Sequence, residues 1–143
     1  MIKISARAVN SKNRHDIILT TNGNAHSITI PPKPDGFGSS VNGGELLFLA
    51  LATCYCNDIY REAAKRNIAV RGIEIEVAGD FAETPGSRAA NVICKASVEA
   101  DASEEDIVAL MKYTDTVAEI QNTLRAASTI SLEIVKAVSS GSH

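Results

Sequence analysis

One stretch of the sequence is apolar at every position and lies inside a helical pattern. Residues 46–52 are only leucine, phenylalanine and alanine, and the pattern that contains them extends from about Glu45 to Lys65. A helix that is apolar on all sides has to be surrounded by protein, so we expect its first half to be buried. The second half carries charged and amide residues and is expected to emerge to solvent. Cys54 lies between the two halves.

The segments on both sides of this helix alternate apolar and polar residues, which is the period of a β-strand. Before the helix, Ile2–Ala8 alternates, and an Asn-Gly turn joins residues 16–20 to residues 25–30 as a hairpin. After the helix, two further strands are predicted around Ile73–Val77 and Val92–Val98.

Two short helices and a last strand complete the prediction. Ser103 is followed by three acidic residues, which is typical of a helix N-cap and first turn. A second short helix is expected over residues 116–126. Three alternating apolar residues then predict a closing strand: Ile130, Leu132 and Ile134. The predicted order is βββ–α–ββ–αα–β, a single α+β domain over residues 1–137.

The composition of the chain argues against some classes of function. The net charge is −3 and aromatic residues make up 4% without any tryptophan, so neither nucleic acid nor anionic lipid is favoured as a partner. The longest apolar run is shorter than the roughly 20 residues that cross a membrane. Because no leader segment precedes the three cysteines, we expect reduced thiols in a cytoplasmic protein. Residues 138–143 are interpreted as a disordered tail or a remnant of cloning.

The residues that lead to Cys54 resemble those of the OsmC/Ohr family of thiol peroxidases. The stretch GGELLFLALATC, residues 43–54, is similar to the family's pattern of a Pro-Glu pair, a run of Leu and Ala, a small residue and the reactive cysteine. The stretch IQNTLR, residues 120–125, is similar to the segment after the family's second cysteine. The resemblance covers nearly the whole chain as far as Leu132. It implies the family's fold and an intertwined homodimer with the reactive site at the subunit interface.

On this resemblance, Cys54 matches the cysteine that attacks the peroxide. The family holds that cysteine as a thiolate with a glutamate and an arginine, because a free thiol of pKa about 8.5 is mostly protonated at neutral pH. Arg14 lies where the family's loop arginine falls, with Arg7 and Arg125 as alternatives, and its guanidinium would favour the thiolate. Glu45 is predicted as the supporting acid.

Two positions of the chain depart from the family's pattern. The second cysteine falls at Ala118, so the family's intramolecular disulfide cannot form, and the family's glutamate falls at Gly44. Glu45 is adjacent, but one step along a helix rotates a side chain by about 100°. Glu45 therefore reaches the site only if the start of the helix is irregular. These departures predict chemistry with one cysteine in place of two.

The other cysteines and the histidines are interpreted as structural or surface residues. Residues two apart on a helix point about 200° from one another, so Cys56 cannot pair with Cys54 in its own helix, although a mixed disulfide between subunits stays open. Cys94 alternates with apolar residues and is predicted to lie in the core, and a Cys54–Cys94 pair stays open. His15 and His26 lack a second ligand at metal-site spacing, so no metal and no cofactor are predicted.

Two functions follow from these features. In the first, Cys54 attacks an organic hydroperoxide or hydrogen peroxide, becomes a sulfenic acid, and is reduced by an external thiol. In the second, a non-catalytic relative binds a small apolar ligand at the dimer interface, and Cys54 only lines the cavity. Gly44 and Ala118 argue for the second function, but we rank the peroxidase first. A redox sensor, in which oxidation of Cys54 alters dimer packing, has no specific support in the sequence.

Overall fold

The computed structural model describes residues 1–139 as a mixed α+β protein with two small sheets and three helices. The elements are β1 (Ile4–Ser11), β2 (Arg14–Thr21), β3 (Asn24–Ile28), α1 (Gly43–Lys65), β4 (Ala69–Asp80), β5 (Ala90–Asp101), α2 (Glu104–Val117) and α3 (Glu119–Arg125). The predicted α+β class is confirmed. No helix in this part of the chain is long and apolar enough to cross a membrane.

The chain forms two compact units. The first unit comprises Met1–Ala52 and Val77–Ile93, and the second comprises Thr53–Glu76 and the chain from Cys94 onward. Helix α1 contributes its first half to the first unit and its second half to the second unit. The single domain over residues 1–137 stays a prediction. Of the interpreted tail, residues 140–143 lie outside the described residues.

The first unit contains an antiparallel sheet in the order β1-β2-β3. The turn between β2 and β3 has positive φ at both central residues, 49° at Asn22 and 81° at Gly23. This is the type I′ geometry that asparagine and glycine adopt most readily, and its twist matches that of the two strands. The predicted hairpin is therefore confirmed.

The core of the second unit forms around one face of helix α1. Tyr55, Ile59 and Ala63 are spaced four residues apart, so they lie in one stripe, and they pack with Leu110 of helix α2. Ile59 and Leu110 have no exposed surface. Helix α2 begins where the sequence predicts, since the Oγ of Ser103 accepts a hydrogen bond from the backbone N–H of Asp106 at 3.1 Å.

Burial along helix α1 differs from the prediction. The sequence predicts a buried first half and a solvated second half, but Leu46 and Leu49 are 37% and 59% exposed while Asp58 is only 5% exposed. The prediction is wrong for the single chain. An apolar composition shows which surface gains free energy from burial, but it does not show whether another part of the fold packs on that surface.

The predicted closing strand is absent from the described residues. Ile130, Leu132 and Ile134 are 94%, 88% and 74% exposed, and the chain from residue 128 to residue 139 contains no strand, so this prediction is wrong for the single chain. Alternation identifies residues that suit a strand, but a strand forms only when another strand satisfies its backbone N–H and C=O groups.

Candidate thiol–carboxylate site

The thiol of Cys54 lies beside two carboxylates in the second unit. Asp58 follows one helical turn later on α1, so its side chain lies on the same face, and its Oδ2 is 3.6 Å from the Sγ of Cys54. The Oε2 of Glu119, the first residue of α3, is 3.7 Å from the same sulfur. A thiol has one proton, so at any moment it donates to one of these two acceptors.

Arg61 joins the two carboxylates from the other side. Its Nη1 is 3.1 Å from the Oδ1 of Asp58 and 3.1 Å from the Oε1 of Glu119. Each carboxylate therefore has one oxygen on the guanidinium and its second oxygen toward the thiol. The Nε of Arg61 donates to Glu62 at 2.7 Å, which fixes the guanidinium further. We call Cys54, Asp58, Arg61 and Glu119 the thiol–carboxylate cluster.

The surroundings of Cys54 favour the neutral thiol. Burial is the main reason that its pKa lies above the ordinary value of 9.0, and the negative charges of Asp58 and Glu119 raise the pKa further. The backbone N–H of Ile120 acts in the opposite direction, because it hydrogen-bonds the sulfur and so favours the thiolate. At neutral pH the sulfur consequently carries its proton.

The two carboxylates differ in their affinity for protons. Burial, and then the neighbouring Glu119, raise the pKa of Asp58. The pKa of Glu119 is lowered, mainly because the carboxylate accepts a hydrogen bond from its own backbone N–H. When environments separate the pKa values of paired acids in this way, the pair divides into a stronger and a weaker base. Asp58 is the stronger base beside the thiol.

Arg14 and Glu45, the other two predicted site residues, belong to the first unit, where each has a hydrogen-bonding partner. The Nε of Arg14 pairs with the Oδ2 of Asp16 at 2.5 Å. The Oδ1 of Asn42 accepts a hydrogen bond from the N–H of Glu45 at 2.8 Å, and the Oε1 of Glu45 accepts one from the N–H of Asn42 at 3.1 Å. This reciprocal capping box starts helix α1. Support of Cys54 by Arg14 or Glu45 stays a prediction.

A side chain at residue 44 would meet the ring of Phe81 in the first unit. A Cβ at residue 44 would lie 3.2 Å from Cε2 of Phe81, which is tighter than ordinary van der Waals contact. The ring of Phe81 also lies against Phe48, with 6.0 Å between the ring centroids. The ring thus lies close to the space where a side chain at residue 44 would begin.

Sequence reasoning missed three members of the thiol–carboxylate cluster. Asp58 and Arg61 follow Cys54 by four and seven residues, a spacing that places all three on one helix face, so a local signal was available. Glu119 is 65 residues away from Cys54, and no local pattern indicates its contact with the thiol. Glu119 follows Ala118, which the family resemblance matches to the second cysteine.

Cys94 does not lie in the core, so that prediction is wrong. Cys94 is exposed and lines an open groove of about 360 Å³ together with Tyr55, Met111 and Asp115. Alternation identified the correct face of β5, but a face is buried only where another element packs on it. All three cysteines are free, so Cys54 and Cys94 do not form a disulfide in this structure.

The described chain combines two small sheets with a long helix, α1, that carries the Cys54 thiol. The family model described as OsmC-like protein matches residues 36–133, and the chain belongs to this family. The relatives among solved structures include OsmC/Ohr-like proteins, which confirms the resemblance inferred from the residues around Cys54. No curated protein matches the chain.

Three solved structures illustrate the likeness of fold. The OsmC-like protein of Mycoplasma pneumoniae has a TM-score of 0.64 at 18% identity, covering 87% of this chain and 89% of its own. An OsmC-like hydroperoxide resistance protein of Jannaschia sp. CCS1 has a TM-score of 0.56 at 14% identity, covering 95% and 94%. An organic hydroperoxide resistance protein of Elizabethkingia anophelis has a TM-score of 0.55 at 17% identity, covering 87% and 89%. At these identities the likeness shows the fold alone.

Asp58→Asn is expected to lower the pKa of the Cys54 thiol, because it removes the nearest negative charge while keeping the side-chain shape. Glu119→Gln should lower that pKa by less, since its charge contributes less. The pH dependence of alkylation of Cys54 by iodoacetamide, in chelator-treated protein, measures both changes. Glu74→Gln removes an exposed carboxylate outside the cluster and is the matched control. An unchanged pKa in Asp58→Asn would contradict the electrostatic role of this residue.

Proposed function

We propose that the protein reduces hydroperoxides through Cys54 as a one-cysteine thiol peroxidase. The observation that carries the proposal is the 3.6 Å approach of the Cys54 sulfur to the carboxylate of Asp58. Membership of the OsmC-like family supports it, and so do the names of relatives that are hydroperoxide resistance proteins. Because the thiol is neutral at rest, the reaction requires a base next to the sulfur.

Asp58 supplies that base in the proposed reaction. As the sulfur of Cys54 attacks the terminal oxygen of R–O–OH, an S–O bond forms and the O–O bond breaks. The thiol proton passes to Asp58 and then to the leaving alkoxide, which departs as the alcohol ROH. Cys54 is left as a sulfenic acid. Proton transfer by a positioned side chain contributes about 100- to 10,000-fold in rate.

Reduction of the sulfenic acid needs a thiol from outside the chain. On the family resemblance, Ala118 stands where the cysteine that resolves the intermediate falls. An external thiol therefore attacks the sulfenic sulfur and releases water, and a second thiol reduces the resulting mixed disulfide. The raised pKa of the Cys54 thiol makes this a slower enzyme than one with a preformed thiolate.

We also infer that the protein acts as a homodimer, the intertwined assembly that the resemblance implies. Exposed apolar side chains on helix α1 and in the C-terminal segment support this: Leu46, Leu49, Ile130, Leu132 and Ile134. Apolar surface of this kind marks an interaction site. Light scattering on the purified protein should give twice the chain mass, and a monomer at micromolar concentration would contradict the inference.

The experiment that tests the function is site-resolved oxidation of chelator-treated protein. After brief exposure to an organic hydroperoxide, intact mass should show one added oxygen, and peptide mapping should place it on Cys54 and not on Cys56 or Cys94. Equal oxidation of all three thiols would contradict the proposal. An unmodified Cys54, together with thermal stabilisation by small apolar ligands, would support the alternative of a non-catalytic ligand-binding protein. The raised pKa of the Cys54 thiol favours this alternative.

A further inference from the structure

We propose that Cys54, Asp58 and Glu119 form a binding site for a thiophilic divalent cation of the Zn²⁺ type. The three side chains come from two different helices and converge on one point. This inference goes beyond the proposed peroxidase function and does not rest on it. It concerns the same sulfur atom, so the two activities compete for Cys54.

The spacing of the three donor atoms fits a metal ion. The Sγ of Cys54 and one carboxylate oxygen from each acid all lie within 4.8 Å of one another, and the two sulfur–oxygen distances are 3.6 and 3.7 Å. In a tetrahedral zinc site with Zn–S about 2.3 Å and Zn–O about 2.0 Å, sulfur and oxygen ligands are about 3.5 Å apart. The donor atoms therefore need little movement to coordinate.

The chemistry of the donors selects among cations. A thiolate ligand favours soft or borderline ions such as Zn²⁺, Co²⁺ and Cd²⁺ over Mg²⁺ and Ca²⁺, which take oxygen ligands only. A thiolate and two carboxylates carry three negative charges, and Arg61 supplies one positive charge beside them. The remaining two negative charges match a divalent ion. Three protein ligands leave the fourth position open for water, as in catalytic zinc sites.

The groups around the donors are arranged as an outer shell of a metal site. Arg61 binds the second oxygen of Asp58 and the second oxygen of Glu119, so both carboxylates keep their free oxygen toward the sulfur. Asp58 is almost fully buried, which restricts its rotation. Partners of this kind orient metal ligands, and their loss commonly weakens metal affinity by about 10- to 100-fold.

The test is a cobalt titration of the chelator-treated full chain. Bound Co²⁺ should give a thiolate-to-cobalt charge-transfer band and the visible bands of a tetrahedral ion, both complete at one equivalent. Zn²⁺ should displace the Co²⁺, so that both sets of bands disappear. Cys54→Ser should abolish the charge-transfer band. Glu119→Gln, at an exposed ligand whose loss should spare the fold, should weaken affinity at least about tenfold. Cys94→Ser and Glu74→Gln should bind as the unsubstituted protein does.

Three results would overturn the proposal. They are no charge-transfer band in the unsubstituted protein, a band that persists in Cys54→Ser, or equal affinity in Glu119→Gln and Glu74→Gln. Protection of Cys54 from iodoacetamide by Zn²⁺ gives a second readout that uses no variant. Because the peroxide experiment uses chelator-treated protein, failure of metal binding and failure of the peroxidase function are distinguished.

Discussion

Cys54→Ser is expected to reduce the rate of hydroperoxide consumption by at least about 100-fold, because the substitution removes the atom that attacks the peroxide. Serine is close to cysteine in size, so the half-buried site keeps its packing. The rate is measured with a small dithiol as reductant and chelator-treated protein. Loss of peroxide reduction should be accompanied by loss of sulfenic acid trapping.

Cys94→Ser is the matched control for that experiment. Cys94 is exposed and lies outside the thiol–carboxylate cluster, so the rate should stay within about twofold of the unsubstituted protein. If Cys54→Ser retained half of the rate, or if Cys94→Ser lost most of it, another thiol would be the nucleophile. Far-UV circular dichroism of both variants verifies that the fold is kept.

Ile59→Ala is expected to destabilise the protein by about 2–5 kcal/mol, which is the range for truncating a fully buried isoleucine. Ile59 has no exposed surface and packs with Tyr55, Ala63 and Leu110 in the core of the second unit. The loss combines the transfer free energy of the removed carbons with the cavity that they leave. Equilibrium unfolding in urea measures it as a shift of the midpoint.

Val108→Ala provides the comparison for this core substitution. Val108 lies on helix α2 and is 47% exposed, so its truncation should change the free energy of unfolding by less than about 0.5 kcal/mol. Similar effects of the two substitutions would mean that the stripe of helix α1 is not what holds the second unit together. A change in the slope of the urea transition would point to altered compactness instead.

The sequence predicts those elements whose signals are local. The hairpin depends on an Asn-Gly pair, and the start of α2 depends on Ser103. In each case the residue that determines the conformation lies within a few positions of it. Interactions of this range are encoded in the residue types themselves, so pattern reasoning finds them.

Where a feature depends on distant residues, its prediction from the sequence was missing or wrong. The contact of Glu119 with Cys54 joins positions 65 residues apart, and burial of Cys94 depends on what packs over β5. The closing strand needs a second strand beside Ile130, Leu132 and Ile134, and periodicity does not show whether one is present. Of the thiol–carboxylate cluster, the sequence therefore predicted only Cys54, while the charged groups beside its thiol were found in the structure.

The ring of Phe81 limits which side chains residue 44 can carry. This ring lies 3.2 Å from where a Cβ on Gly44 would stand, at the position that the resemblance matches to the family's glutamate. A mutation of Gly44 to glutamate must therefore displace the ring before the new carboxylate finds a place. We expect Gly44→Glu to be accommodated more readily when Phe81 is replaced by a smaller residue.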